Sequence, residues 1–116
     1  MENNFSIDSD TRDGVVLLRL RGALDQVTAS TLRGGIGKAL AGCHAPAVVF
    51  DVAELTFCDS TGLSVLLNAR MATEEAGGRV ALCSVTGRLA WMLQATGLKA
   101  HFNVFPTTQE AVVFLK

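Results

Sequence analysis

The stretch from Val48 to Met71 reads VVFDVAELTFCDSTGLSVLLNARM. Val48, Val49 and Phe50 form a continuous apolar run, which suits a strand covered on both faces. Asp51, Glu54 and Asp59 then interrupt the apolar pattern and predict a short acidic loop. Ser60 is a good N-cap residue, because its hydroxyl can accept from the free N–H groups of a first helical turn. Apolar residues from Leu63 to Met71 continue at helical spacing, and Gly77-Gly78 ends them. The stretch therefore predicts a central strand with Ser60 at the start of the helix that follows. Open α/β sheets place functional groups at that carboxyl end.

Upstream, Phe5–Asp8 predicts a short first strand and Thr11-Arg12-Asp13-Gly14 a turn. From Val15 to Gly22 the residues alternate. Val16, Leu18 and Leu20 share one face; Val15, Leu17, Arg19 and Arg21 share the other, which the arginines mark as partly solvated, as in an outer antiparallel strand. A helix is expected from about Thr28 to Leu40, with Leu32, Ile36 and Leu40 on one stripe. Gly34, Gly35 and Gly37 lie inside it, each costing about 1 kcal/mol relative to alanine. Gly37-Lys38 is not a phosphate-binding loop, since Leu32 and Ala39 stand where that loop requires Gly and Ser or Thr.

Downstream, Val80–Val85 predicts a strand that is apolar on both faces. Thr86–Ala95 predicts a helix closed by Gly97, with Leu89, Met92, Leu93 and Thr96 on one face and Trp91 on the opposite face. Phe102–Phe105 predicts a short strand. Thr107-x-x-Glu110 is a capping box before Ala111, Val112, Phe114 and Leu115. The order is β-β-α-β-α-β-α-β-α. That implies one α/β domain over residues 1–116, with a mixed, mainly parallel sheet of four to five strands and about four helices.

Composition narrows the function classes. Hydrophobic residues make up 49% of the 116-residue chain and charged ones 18%, which suits a compact core rather than a disordered chain. The net charge is −1 with no basic run, so nucleic-acid binding has little electrostatic support. No apolar run approaches the roughly 20 residues of a membrane span, and MENNFSIDSD is unlike a secretory leader, so a cytoplasmic protein without membrane insertion is expected. Cys43, Cys58 and Cys83 are widely spaced, which suggests reduced, buried thiols. The Asn4-Phe5-Ser6 sequon has no meaning without secretion. Cys and His never cluster, so neither a metal nor a cofactor is expected.

A catalytic Ser60 would need a base. The histidines, His44 and His101, have no recognisable acidic partner, and G-x-S-x-G is absent. An enzyme is not expected. Gly62 weakens the first turn but would let another chain approach the hydroxyl. Ser60, Ser64, Asn68, Met71 and Glu75 form a polar stripe opposite Val65, Leu66, Ala69, Ala72 and Ala76, with Leu63 and Leu67 on its border. Such a stripe fits a docking surface and equally an ordinary amphipathic helix.

Leu55-Thr56-Phe57-Cys58-Asp59-Ser60-Thr61-Gly62-Leu63 resembles the signature of the STAS domain (sulfate transporter and anti-sigma factor antagonist), in its bacterial anti-sigma factor antagonist branch. Gly22-Ala23-Leu24-Asp25 resembles the family's Gly-x-Leu-Asp, and Gly77-Gly78 and Thr96-Gly97-Leu98 also fall in place, so the likeness runs from about Phe5 to Leu115. The resemblance implies partner switching. The unphosphorylated antagonist binds an anti-sigma factor that is also a serine kinase, and a sigma factor is released. Phosphorylation of the serine matching Ser60 blocks binding, and a PP2C-type phosphatase restores it. Asp25 matches an acidic residue near that serine. Thr61 stands where some members have a second serine. The expected partner surface is Asp25, Asp59, Thr61, Gly62, Leu63, Ser64 and Leu67. The alternative is a STAS module that is not switched, serving as a scaffold in a stress-signalling complex or as a soluble partner of a lipid transporter.

Overall fold

The computed structural model describes residues 5–116; Asn4 of the sequon lies outside them. Strand β1 spans Ser6–Arg12 and β2 Val15–Leu24, both longer than the residue pattern predicts. Asp13 (φ 53°) and Gly14 (φ 78°) make the two-residue turn between them, where positive φ matches the twist of an antiparallel pair. Helix α1 follows at Ala29–Leu40, then β3 at Ala47–Cys58, α2 at Ser60–Glu75, β4 at Arg79–Cys83 and α3 at Gly87–Thr96. A 3₁₀ turn at Leu98–His101, absent from the sequence reading, leads into β5 (Asn103–Phe105) and α4 (Thr108–Leu115). The strands lie in sequence order, β1-β2-β3-β4-β5. Only the β1–β2 pair is antiparallel.

The sheet buries both faces unequally. Val16, Leu18, Leu20, Val48, Phe50, Val80 and Leu82 pack beneath α1, α2 and α3. Val15, Leu17, Val49, Ala81 and Cys83 pack beneath α4 alone, through Ala111, Val112 and Leu115. The expected solvation of the second β2 face therefore holds only for its carboxyl half. Val15 and Leu17 are buried, whereas Arg19 and Arg21 lie beyond the reach of the short α4. Nor is β2 an outer strand, since β1 and β3 flank it.

The expected acidic loop is a strand. β3 runs on through Asp51 and Glu54 because β2 runs on beside it to Leu24, with register shifts at Arg19/Arg21 and Gly22/Ala23. Arg19 pairs in register with Asp51 and Arg21 with Glu54. The Arg21 Nε donates to Glu54 Oε2 at 2.7 Å, and the Arg19–Asp51 ion pair spans 3.8 Å. Helix α1 stays continuous through its three glycines, held by buried Ala29 and Leu32. Gly97, at φ 74°, closes α3 as expected. Cys58 and Cys83 are buried, but Cys43 is exposed in the loop before β3, against the expectation of three buried thiols.

Candidate functional site

Helix α2 begins at Ser60, but Ser60 does not cap it. The cap is Asp59, in extended conformation, whose carboxylate accepts the Gly62 N–H at 2.9 Å. The two residues are both good caps, and only the one with non-helical backbone can aim its oxygen back at the third N–H. Ser60 is thereby the first helical residue. Its side chain is exposed and makes no hydrogen bond with the described residues.

The turn before it is fixed from several sides. The Asp59 N–H donates to Leu24 O at 3.2 Å, which ties the end of β2 to the start of α2. The next residue on β2's side is Asp25. Its Oδ1 accepts the Val27 N–H at 2.9 Å and the Thr28 N–H at 3.1 Å. Thr28 is buried; its hydroxyl donates to Ala23 O at 2.8 Å and accepts from the Asp25 N–H at 2.9 Å. The Gly22-Ala23-Leu24-Asp25 and Asp59-Ser60-Thr61-Gly62 segments thus meet at one end of the sheet.

Gly62 is buried, and its missing side chain serves this meeting. A Cβ there would lie 2.8 Å from Leu24 O and 3.1 Å from Cys58 Sγ. The glycine that the sequence suggested as room for a partner is filled from inside. Leu63, placed at the border of the polar stripe by its spacing, is 6% exposed and belongs to the core. Ser64, Asn68, Met71 and Glu75 are exposed along the stripe, with Thr61 and Leu67 half-buried. The sequence-predicted residues therefore divide into an outward set around Ser60 and two, Gly62 and Leu63, that shape it from beneath.

Burial pushes the Cys58 thiol up to about 11, helped by the Asp59 charge, so it stays protonated at neutral pH. His44 and His101 are exposed at the amino-terminal side of β3 and β5, whereas Ser60 follows the carboxyl end of β3. Among the described residues no three His, Cys, Asp or Glu side chains group as metal ligands, and no helix is long and apolar enough to cross a membrane.

One neighbour escaped the sequence reading. Arg88, at the start of α3, donates from Nε to Cys58 O at 2.9 Å, and its guanidinium lies 5.1 Å from the centre of the Phe57 ring. No motif marks this arginine; only the packing of α3 beside the end of β3 brings it here.

The STAS domain family model matches residues 6–111, which include every element of this site. The chain belongs to the STAS family, in its anti-sigma factor antagonist branch. It is 30% identical over 103 residues to the anti-sigma F factor antagonist of Paenibacillus polymyxa, covering 89% of this chain and 86% of that protein. The crystal structure of an anti-sigma factor antagonist from Mycobacterium paratuberculosis superposes with a TM-score of 0.86 at 26% identity, covering 99% and 97% of the two chains. The phosphorylated form of the Bacillus cell fate determinant SpoIIAA shares the fold, with a TM-score of 0.72 at 23% identity over 97% and 99% of the chains. In this STAS chain the order of strands and helices expected from the sequence is the family's own.

Proposed function

We propose that this chain is a phospho-switched anti-sigma factor antagonist of the bacterial cytoplasm, with Ser60 as phosphoacceptor. The observation that carries the reading is the Ser60 hydroxyl, which no described residue engages. It stands exposed at the first position of a helix already capped by Asp59. A kinase can reach it, and the fold loses nothing when it is modified. The unphosphorylated chain binds an anti-sigma factor with serine kinase activity through Asp25, Asp59, Thr61, Ser64 and Leu67, with Gly62 and Leu63 beneath. The sigma factor is then free. The kinase transfers the terminal phosphoryl group of ATP to the Ser60 oxygen, and a PP2C-type phosphatase hydrolyses it off again.

Phosphorylation adds about −1.5 to −2 charges at one point of the surface. The helix N-terminus tolerates that charge, so the domain stays folded. A partner that buries the phosphate must desolvate it beside Asp59 and Asp25, which costs several kcal/mol. At about 1.4 kcal/mol per tenfold, affinity falls by at least roughly 100-fold. The chain acts as a regulator and not as an enzyme in this reading, since its two histidines lie on the amino-terminal side of β3 and β5, away from Ser60.

The test is a pull-down of Ser60→Ala and Ser60→Asp with a cognate anti-sigma kinase. Ser60→Ala is expected to bind and resist phosphorylation, with no +80 Da product by intact mass (~80 Da being one phosphoryl group). Ser60→Asp should bind at least about tenfold more weakly, since a single charge retains part of the desolvation cost. Equal binding by both would end the switch and return the chain to an unswitched STAS module.

A further inference from the structure

The turn that presents Ser60 is braced by a cation. Arg88 reaches it from α3, spending its Nε on the Cys58 carbonyl and stacking over Phe57. Its terminal guanidinium nitrogens make no hydrogen bond with the described residues, and the side chain is exposed. Cys58 and Ser60 are two residues apart, so their Cα atoms are no more than about 7 Å from each other. Asp59, from the α2 cap, and Asp25, from the loop before α1, are carboxylates that share this end of the sheet. Arg88 is a cation placed beside the residues that lead into Ser60.

We propose that Arg88 is the positioning residue for the phosphate on Ser60, keeping Nε on the Cys58 carbonyl while its terminal N–H groups pair with the phosphate oxygens. The inference rests on the phospho-switch proposed above and specifies how the modified state is held. A guanidinium suits the task because its fixed fork can serve a carbonyl with one edge and a phosphate with the other. The anchored Nε pre-orients that fork, so little side-chain freedom is lost when the phosphate arrives. The phosphate is then directed toward Phe57 and α3, away from the Asp59 carboxylate.

The experiment uses the full chain with phosphoserine placed at position 60 during translation, which makes it independent of any kinase. Phosphorus NMR follows the phosphate's second ionisation in this chain and in its Arg88→Gln and Arg88→Lys variants. A nearby cation favours the dianion, so Arg88→Gln should raise that pKa by about half a unit, roughly threefold in proton affinity, the exposed site tempering the shift. Arg88→Lys keeps the charge and should restore most of the difference, and added salt should narrow it. Circular dichroism of each variant checks that the fold persists. Identical titrations in the parent and Arg88→Gln would overturn the proposal. So would a Gln difference that added salt leaves unchanged, which would reflect loss of the Cys58 brace rather than of a charge beside the phosphate. The Ser60 pull-down reads the switch separately, so a failed clamp and a failed switch give different results.

Discussion

Helices α1 and α2 lie side by side on one face of the sheet, and an aspartate precedes each: Asp59 is the cap of α2, whereas Asp25 stands three residues before Thr28, the cap position of α1. Asp25 accepts the N–H groups of Val27 and Thr28, and Asp59 accepts that of Gly62. The hydroxyl residue after each aspartate is treated differently. Thr28 is buried, and its hydroxyl joins Ala23 O to the Asp25 N–H. Ser60 is exposed, and its hydroxyl makes no hydrogen bond with the described residues. Their glycines differ in the opposite sense. Gly62 in α2 is enclosed by Leu24 and Cys58, whereas Gly34 in α1 has open space where a side chain would go. In α2 the fold is served by the aspartate and the glycine, and the serine between them is left exposed, as the proposed phosphoacceptor requires.

The widest gap between the two helices should come from alanine at Gly62. Its Cβ would lie 2.7 Å from Leu24 Cγ and 2.8 Å from the Leu24 carbonyl oxygen, and the latter is backbone that also receives the Asp59 N–H. Overpacking of this kind costs about 1–3 kcal/mol, which outweighs the ~1 kcal/mol gained in helix propensity. Because the clash is with backbone that cannot swing aside, the upper end of that range applies, and Gly62→Ala should lose roughly 2 kcal/mol of stability net in urea unfolding. A neutral result would mean that the Leu24–Asp59 junction yields, and with it the rigidity assigned to the Ser60 turn.

The hydroxyls give the next difference. Thr28→Ala removes the acceptor of a part-buried Asp25 N–H and the donor to Ala23 O, and should cost about 1–2 kcal/mol. Ser60→Ala should change stability by no more than about 0.5 kcal/mol, as for a surface site with no partner. Asp59→Ala removes the true cap and should cost about 1 kcal/mol. If Ser60→Ala proved as costly as Asp59→Ala, the serine would be a structural residue and the argument for a phosphoacceptor would lose its basis.

Residue patterns alone carried most of this architecture. The alternation of Val15 to Leu20, the αL stop at Gly97 and the Thr107 cap, which accepts the Glu110 N–H at 3.2 Å, are local features with local causes. What failed had causes elsewhere in the chain. Arg19 and Arg21, rightly placed on a partly solvated face, read as the mark of an outer strand, and Asp51 and Glu54 as a loop. Both readings describe one charged ladder, visible only when β2 and β3 are in register. The Ser60 cap failed by one residue, because Asp59 and Ser60 are chemically equivalent caps and the backbone alone decides between them. The Asp59-Ser60-Thr61-Gly62 segment proposed as the site stood out as a motif. Gly62 had the wrong explanation, since Leu24 and Cys58, which enclose it, are brought there by the fold. Arg88 had no explanation at all.

The smallest effect expected is also opposite in sign. Gly34 is exposed in α1, is helical, and has no atom within 4 Å of where its Cβ would stand. Alanine there restricts the unfolded chain and meets nothing in the folded one, so Gly34→Ala should stabilise by about 0.5–1 kcal/mol. The same substitution thus runs in opposite directions in two neighbouring helices, by about 3 kcal/mol in all if both estimates hold. Placing both changes in one chain adds a check, since sites without shared partners combine additively within about 0.5 kcal/mol. Destabilisation by Gly34→Ala would show that the open side of α1 is not open in solution. The glycines of α1 would then be kept for close approach by another chain, and the division between a structural α1 and a functional α2 would have to be redrawn.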